Sequence, residues 1–283
     1  MNFRTQLLHL IDEALKEDCG DGDHSTLSCI DPHERGRAVL KIKEAGVLAG
    51  VEVAAQIFAY KDPDSKFQKL KDDGETMQPG EKAFEVEAGV HTILTCERLV
   101  LNCMQRMSGI ATLTKTYTEK LAGYKTRLLD TRKTTPNFRL LEKEAVRIGG
   151  GVNHRFGLFD MIMLKDNHID YCGGIEKAID KAWKYVQEKK PGLKIEVETR
   201  SLEDVEIVAK AGKGKVFRVM LDNFTPAQIK PALEILGDDF ETEASGGINI
   251  SNITAYAATG VDFVSVGALI HQARSLDLSL KAI

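Results

Sequence analysis

Cysteine is sparse and unpatterned: Cys19, Cys29, Cys96, Cys103 and Cys172 are scattered, odd in number and free of any Cys-x-x-Cys pair. That argues against a disulfide framework or a cysteine zinc site and favours a reducing compartment, the cytoplasm. No run of about eighteen apolar residues occurs, so no membrane-spanning helix is expected. His9, Asp12 and Glu13 interrupt the only apolar stretch near the N-terminus, which does not read as a signal peptide. An excess of positive charge is missing too. With 38 Lys and Arg against 42 Asp and Glu, the net charge of −4 argues against a nucleic-acid partner. What remains, 283 residues with 43% hydrophobic and 28% charged, is an ordinary globular composition with enough chain for a large core.

From Phe3 to Lys16 apolar residues recur at helical spacing, and the acidic Asp18–Asp23 stretch reads as a helix-ending turn. It lacks the spacing and closing Glu of a calcium loop. From Arg37 to Glu87 short alternating runs and Gly- or Pro-containing turns predict strands, interrupted by helical spacing from Glu52 to Tyr60. A helix pair follows, Ile93–Met107 and Ile110–Leu121, broken at Ser108-Gly109. Arg98 lies on the first of these helices, and a lone helix Arg says little by itself. Residues 1–110 are therefore expected to form an α+β domain, with residues from about 272 to 283 packing back on it.

From Thr126 short apolar strands alternate with amphipathic helices: Thr126–Leu129, Asp160–Leu164, Lys194–Val197, Phe217–Leu221, Phe240–Ala244 and Asp262–Val266. The clearest helices are Ile175–Lys189, Leu202–Ala211 and Pro226–Leu236. Repeated β-α units with right-handed crossovers give a parallel sheet. The expected fold is α/β: an incomplete β/α barrel of about six to seven parallel strands over residues 111–271, with an open doubly wound sheet as the alternative.

Polar residues follow nearly every strand, and they carry the chemistry. Arg132, Lys133, Arg155 and Lys165, with His154 and His168 nearby, concentrate positive charge in a chain that is negative overall. Clustered cations repel one another and are tolerated mainly where an anion offsets them, so a multiply anionic ligand is expected. Arg139, Lys143 and Arg147 instead read as the solvated face of a helix. Ser245-Gly246-Gly247 and Gly267 follow the last two strands, where bare backbone N–H groups suit a phosphate. Glu198 and Asp222 end adjacent strands, as a general acid and base or as hard ligands for Mg²⁺; beside phosphate loops, Mg²⁺ is the better fit.

Asp130-Thr131-Arg132-Lys133-Thr134-Thr135-Pro136, Gly149-Gly150-Gly151-Val152-Asn153-His154-Arg155 and Lys165-Asp166-Asn167-His168 resemble the quinolinate phosphoribosyltransferases. So do Glu97-Arg98, Glu196-Val197-Glu198, Leu221-Asp222-Asn223-Phe224, Ser245-Gly246-Gly247 and Val266-Gly267-Ala268, in the same order along the chain. The resemblance implies a Mg²⁺-dependent reaction of quinolinate with 5-phosphoribosyl-1-pyrophosphate to give nicotinate mononucleotide, pyrophosphate and CO₂, a step of NAD biosynthesis. It also implies a homodimer, or a larger assembly of dimers, with shared active sites. Arg98 would then come from a partner subunit, and Arg132, His154, Arg155 and Lys165 would hold the quinolinate carboxylates. Lys133 would meet the pyrophosphate, Glu198 and Asp222 the ribose hydroxyls and metal, and Ser245, Gly246, Gly247 and Gly267 the 5-phosphate. The alternatives are a nicotinate phosphoribosyltransferase, a Schiff-base aldolase using Lys165, and a non-catalytic binder of phosphorylated ligands.

Overall fold

The structure is a computed structural model that describes residues 2–283. The chain forms two compact units. One comprises Met1–Lys115, Thr134–Gly150 and Leu269–Ile283; the other comprises Thr116–Lys133 and Gly151–Ala268. The division is thus not a single boundary near residue 110, because the helix Arg139–Ile148 belongs with the N-terminal part.

The first unit is built on a four-stranded antiparallel sheet in the order Leu278–Ala282, Arg35–Ile42, Lys82–Gly89, Lys66–Lys69. Ala38, Leu40 and Ile42 are buried on the central Arg35–Ile42 strand. Phe67 and Phe84 stack with ring centroids 4.5 Å apart, and Phe58 of the helix Val51–Lys61 meets Phe84 edge-on at 6.1 Å. That helix starts at Gly50, which has no side chain to cap it. Asp73 supplies the cap from a distance by accepting the Val51 amide at 2.8 Å.

The expected helix break at Ser108-Gly109 does not occur; Val90–Lys120 is one helix of 31 residues. Ser108 accepts the Ala49 amide at 3.0 Å, and a Cβ on Gly109 would sit 1.8 Å from the Arg274 carbonyl oxygen. The small residues are there for close packing, not as a stop signal. Lys143 also departs from expectation: it is 2% exposed, so it is not on a solvated face. Its neighbour Glu142 is fully buried and accepts Arg106 Nε at 3.0 Å, Arg106 Nη2 at 2.8 Å and the Thr135 amide at 2.8 Å.

The second unit carries six parallel strands in the order Arg127–Leu129, Phe263–Ser265, Glu241–Ser245, Arg218–Asp222, Ile195–Thr199, Ile162–Leu164. Val152 adds a single parallel bridge beside Leu129. The sheet therefore curls as an incomplete barrel, with no ladder joining Arg127–Leu129 to Ile162–Leu164. Strand side chains alternate between faces. On Ile195–Thr199 every residue is buried, with Ile195, Val197 and Thr199 on one face and Glu196 and Glu198 on the other. The helices Ile175–Lys189, Leu202–Ala211 and Pro226–Leu236 fall where periodicity puts them.

Candidate active site

A cavity of about 710 Å³ opens at the C-terminal ends of the parallel strands. Arg132, Lys133, His154, Arg155, Lys165, Glu198, Asp222, Ser245, Gly246, Gly247 and Gly267 all line it. Arg98 does not: it is exposed on the helix Val90–Lys120, in the first unit. His168 is absent from the lining as well. Its Nδ1 accepts the Lys165 amide at 3.1 Å, which caps the helix Asp166–Cys172.

Local backbone bonds explain how distant motifs converge. Val152 donates to the Leu128 carbonyl at 2.8 Å, and Asp130 donates to the Val152 carbonyl at 3.1 Å. This zips the Gly151–Arg155 segment against the first strand. The buried Asp130 carboxylate then accepts the His154 amide at 2.8 Å, and Arg155 is anchored through Nη1 to the Met161 carbonyl at 3.2 Å. On the opposite wall, Asn223 donates its amide to the Ser245 carbonyl at 2.8 Å and its side chain to Asp222 at 2.7 Å.

Lys165 is half-exposed and donates to Glu198 Oε2 at 3.1 Å. Burial pulls the Arg155 guanidinium below its usual range, and the like charge of Arg132 adds to that effect. An incoming anion relieves this repulsion. Asp23, in the acidic turn read from the sequence, accepts the Thr26 amide at 3.2 Å and so caps a short helix.

The sequence reading assigned no part to Glu196, Glu243 or Arg218, which lie in the barrel interior. Glu196 and Glu243 are fully buried, and His154 Nε2 lies 2.9 Å from the first and 3.3 Å from the second. Burial opposes charge on His154, while the two carboxylates pull the ring upward and favour a proton on the nitrogen that faces them. The Arg155 amide donates to Nδ1 at 2.7 Å and resists a proton there, so the proton is held at Nε2, facing the carboxylates. Burial, then the charge of Glu243, pushes the Glu196 carboxyl above the usual carboxylate range. A signal for these groups exists in the sequence: charges an even number of residues apart within short buried strands, two in Glu196-Val197-Glu198 and four in Arg218-Val219-Met220-Leu221-Asp222.

Glu198 and Asp222 offer two hard carboxylate oxygens to one cavity. Glu198 pairs in register with Met220, two residues before Asp222, so the two carboxylates share the interior face about 8 Å apart at Cα. Such a pair suits Mg²⁺, which binds through one or two carboxylates and completes its shell with water and substrate oxygens. The donors fit the ion. Among the described residues the tightest group of possible metal ligands is instead His154, Glu196 and Glu243. There the Arg218 guanidinium, 3.2 Å from Glu243, already supplies the positive charge.

Comparison with known proteins agrees with the geometry. Residues 23–108 match the family model for the quinolinate phosphoribosyl transferase N-terminal domain, and residues 110–281 match that for its C-terminal domain. A quinolinate phosphoribosyltransferase [decarboxylating] of Nicotiana tabacum is 41% identical over 96% of this chain and 81% of its own length. A crystal structure of NadC from Streptococcus pyogenes is 42% identical, with a TM-score of 0.88 over 96% of this chain and 95% of that one. The nicotinate-nucleotide pyrophosphorylase structure from Francisella tularensis is 38% identical, with a TM-score of 0.89 over 99% and 96% of the two chains.

Proposed function

The chain belongs to the quinolinate phosphoribosyltransferase family, and we propose that its barrel cavity performs that family's reaction with the residue roles that follow. Quinolinate and 5-phosphoribosyl-1-pyrophosphate give nicotinate mononucleotide, pyrophosphate and CO₂. The observation that carries this reading is the meeting of four cations with two carboxylates and a Gly-rich loop in one cavity. Arg132, Arg155 and Lys165 hold the two quinolinate carboxylates, with His154 beneath them. Arg gives a planar two-pronged grip, and each charge-assisted hydrogen bond contributes about 1.5–3 kcal/mol. Lys133, exposed at the rim, meets the pyrophosphate leaving group.

Displacement at C1 of the ribose creates an electron-poor sugar and a leaving group rich in negative charge. Fixed cations that await that charge lower the barrier by electrostatic stabilisation. Mg²⁺, when bound by Glu198 and Asp222, supplies further positive charge to the pyrophosphate oxygens. Ser245, Gly246, Gly247 and Gly267 present backbone N–H groups to the 5-phosphate. Ribosylation turns the ring nitrogen into a pyridinium, which stabilises the carbanion left when the neighbouring carboxylate departs as CO₂. Positioning of two anionic substrates therefore suffices, and no covalent nucleophile is needed.

Lys165 is half-exposed and paired with Glu198, unlike the desolvated lysine that Schiff-base chemistry requires. We further assign the protein to the cytoplasm, in keeping with five free cysteines, and to a dimer that brings Arg98 to a partner's cavity. The deciding assay follows nicotinate mononucleotide and labelled CO₂ from quinolinate, with and without Mg²⁺. Turnover of nicotinate with none of quinolinate would transfer the assignment to a nicotinate phosphoribosyltransferase. Equal rates after chelation would remove the metal.

A further inference from the structure

Beneath the cations, the barrel interior holds a chain of charged groups that the proposed reaction leaves without a role. Arg218, 6% exposed, spans two carboxylates: Nη1 donates to Glu243 at 3.2 Å and Nη2 to Glu241 at 2.8 Å. Its guanidinium also lies over the Phe263 ring, 4.4 Å from the centroid. Glu243 is fully buried, forms part of the cavity floor and faces His154 Nε2 at 3.3 Å. On the other edge of the ring, Nδ1 accepts the Arg155 backbone amide at 2.7 Å. Nε2 also lies 2.9 Å from Glu196, so the ring sits between two buried carboxylates and the Arg155 amide.

A network of this kind is poorly explained as a source of stability. Apolar replacement of a buried ion cluster is often neutral or stabilising, and in some proteins such clusters serve to select one arrangement. The arrangement selected here is that of Arg155. Its backbone is gripped by the His154 ring, and its guanidinium is tied to the Met161 carbonyl at 3.2 Å.

We propose that Glu243, clamped by Arg218, is a positioning residue for the quinolinate carboxylates, acting through His154 on Arg155. The proposal rests on the reading of the cavity as the quinolinate site. Specificity for a dianion then depends on groups set behind the cations that hold it. One oxygen, Glu243 Oε2, meets both Arg218 Nη1 at 3.2 Å and His154 Nε2 at 3.3 Å. Glu243→Gln keeps the size but removes the negative charge that both groups face, and it puts N–H donors on an arm where the carboxylate offers only an acceptor.

The experiment is steady-state kinetics with each substrate varied in turn, on Glu243→Gln and on Arg218→Lys, which keeps the charge but not the two-armed bridge. The expected result for both is a rise in KM for quinolinate of about tenfold, the loss of roughly one charge-assisted hydrogen bond. KM for the phosphoribosyl donor stays within about twofold, and kcat falls less than KM rises. Lys194→Met serves as the structural control: it removes a cation lying 3.4 Å from the Phe217 ring centroid, away from the cavity lining, and leaves both KM values in place. Unchanged quinolinate KM in folded variants, or equal rises for both substrates, overturns the proposal. If Glu243→Gln does not fold, Arg218→Lys carries the same two outcomes. Absence of quinolinate turnover in the unmodified protein would instead bring down the function assignment itself.

Discussion

Gly246 and Gly247 are neighbours in the loop proposed to hold the 5-phosphate, yet alanine at each should behave differently. Gly246 has φ +92°, and a Cβ there would lie 2.2 Å from Asn223 Oδ1, 2.7 Å from its Cγ and 2.9 Å from its backbone nitrogen. The side-chain oxygen can rotate away, but the nitrogen cannot, because it donates to the Ser245 carbonyl at 2.8 Å. Positive φ alone costs a non-glycine residue about 1–2 kcal/mol. Relief of the overlap must shift the loop, or Asn223 together with Asp222, by about 1 Å, and misplacement on that scale costs on the order of a hundredfold in rate. Gly247 has φ +65° and nothing within 4 Å of its would-be Cβ, so alanine there brings backbone strain without collision. At saturating quinolinate, Gly246→Ala should lower kcat/KM for the phosphoribosyl donor by about a hundredfold, or about 2.7 kcal/mol. The loss in Gly247→Ala should be smaller by at least about tenfold. Equal losses in the two variants, or a donor kcat/KM unaffected in Gly246→Ala, would refute the claim that Asn223 and the loop are wedged together.

Arg106→Met strands the buried Glu142 carboxylate and should cost about 3–5 kcal/mol, seen as a drop in Tm, whereas Arg106→Met combined with Glu142→Leu should recover most of it. A single variant as stable as the unmodified protein would contradict this. Mixing inactive Arg98→Ala and Lys165→Ala proteins should restore activity if one subunit completes its partner's cavity; no recovery after demonstrated subunit exchange rules that out. Burial opposes charge on Asp262, but bonds from Thr242 and Lys125 outweigh it and hold its carboxyl below the usual 3.8. A depressed carboxyl stabilises the fold above its unfolded value and loses that effect as pH falls through the folded one. Asp262→Asn should therefore be less stable than the unmodified protein in urea near neutral pH, and the gap should close in acid; a gap constant with pH would contradict the assignment.

The parallel strands were legible because each is a short apolar run between amphipathic helices, and their observed limits fall within two residues of those expected. Strand-end residues were legible for the same reason: once the sheet is parallel, Glu198, Asp222, Ser245 and Gly267 must gather at one edge. The helix Val90–Lys120 was misread because Ser108-Gly109 satisfies two different physical demands, breaking a helix and admitting a neighbouring backbone, and only the contact with Arg274 separates them. Lys143 was misread because the periodicity of a ten-residue helix gives no warning that a charged residue will be enclosed. Glu196, Glu243 and Arg218 went unassigned since a charge inside a buried strand has meaning only when its partners on other strands are known.

The incompleteness of the barrel bears directly on its chemistry. Where a further strand would close the ring, the chain instead makes one bridge at Val152 and then turns inward. A regular strand would send alternate side chains to opposite faces and leave only every second residue for the cavity. The irregular segment escapes that restriction, and the consecutive residues His154 and Arg155 are both buried in the cavity wall. Irregular backbone here must be held by something other than a ladder. The Asp130 carboxylate grips the His154 amide, the His154 ring grips the Arg155 amide, and the Met161 carbonyl takes the guanidinium. Two adjacent polar residues in the cavity wall are obtained by giving up a strand, and behind them the buried Glu196 and Glu243 carboxylates lie 2.9 and 3.3 Å from the His154 ring.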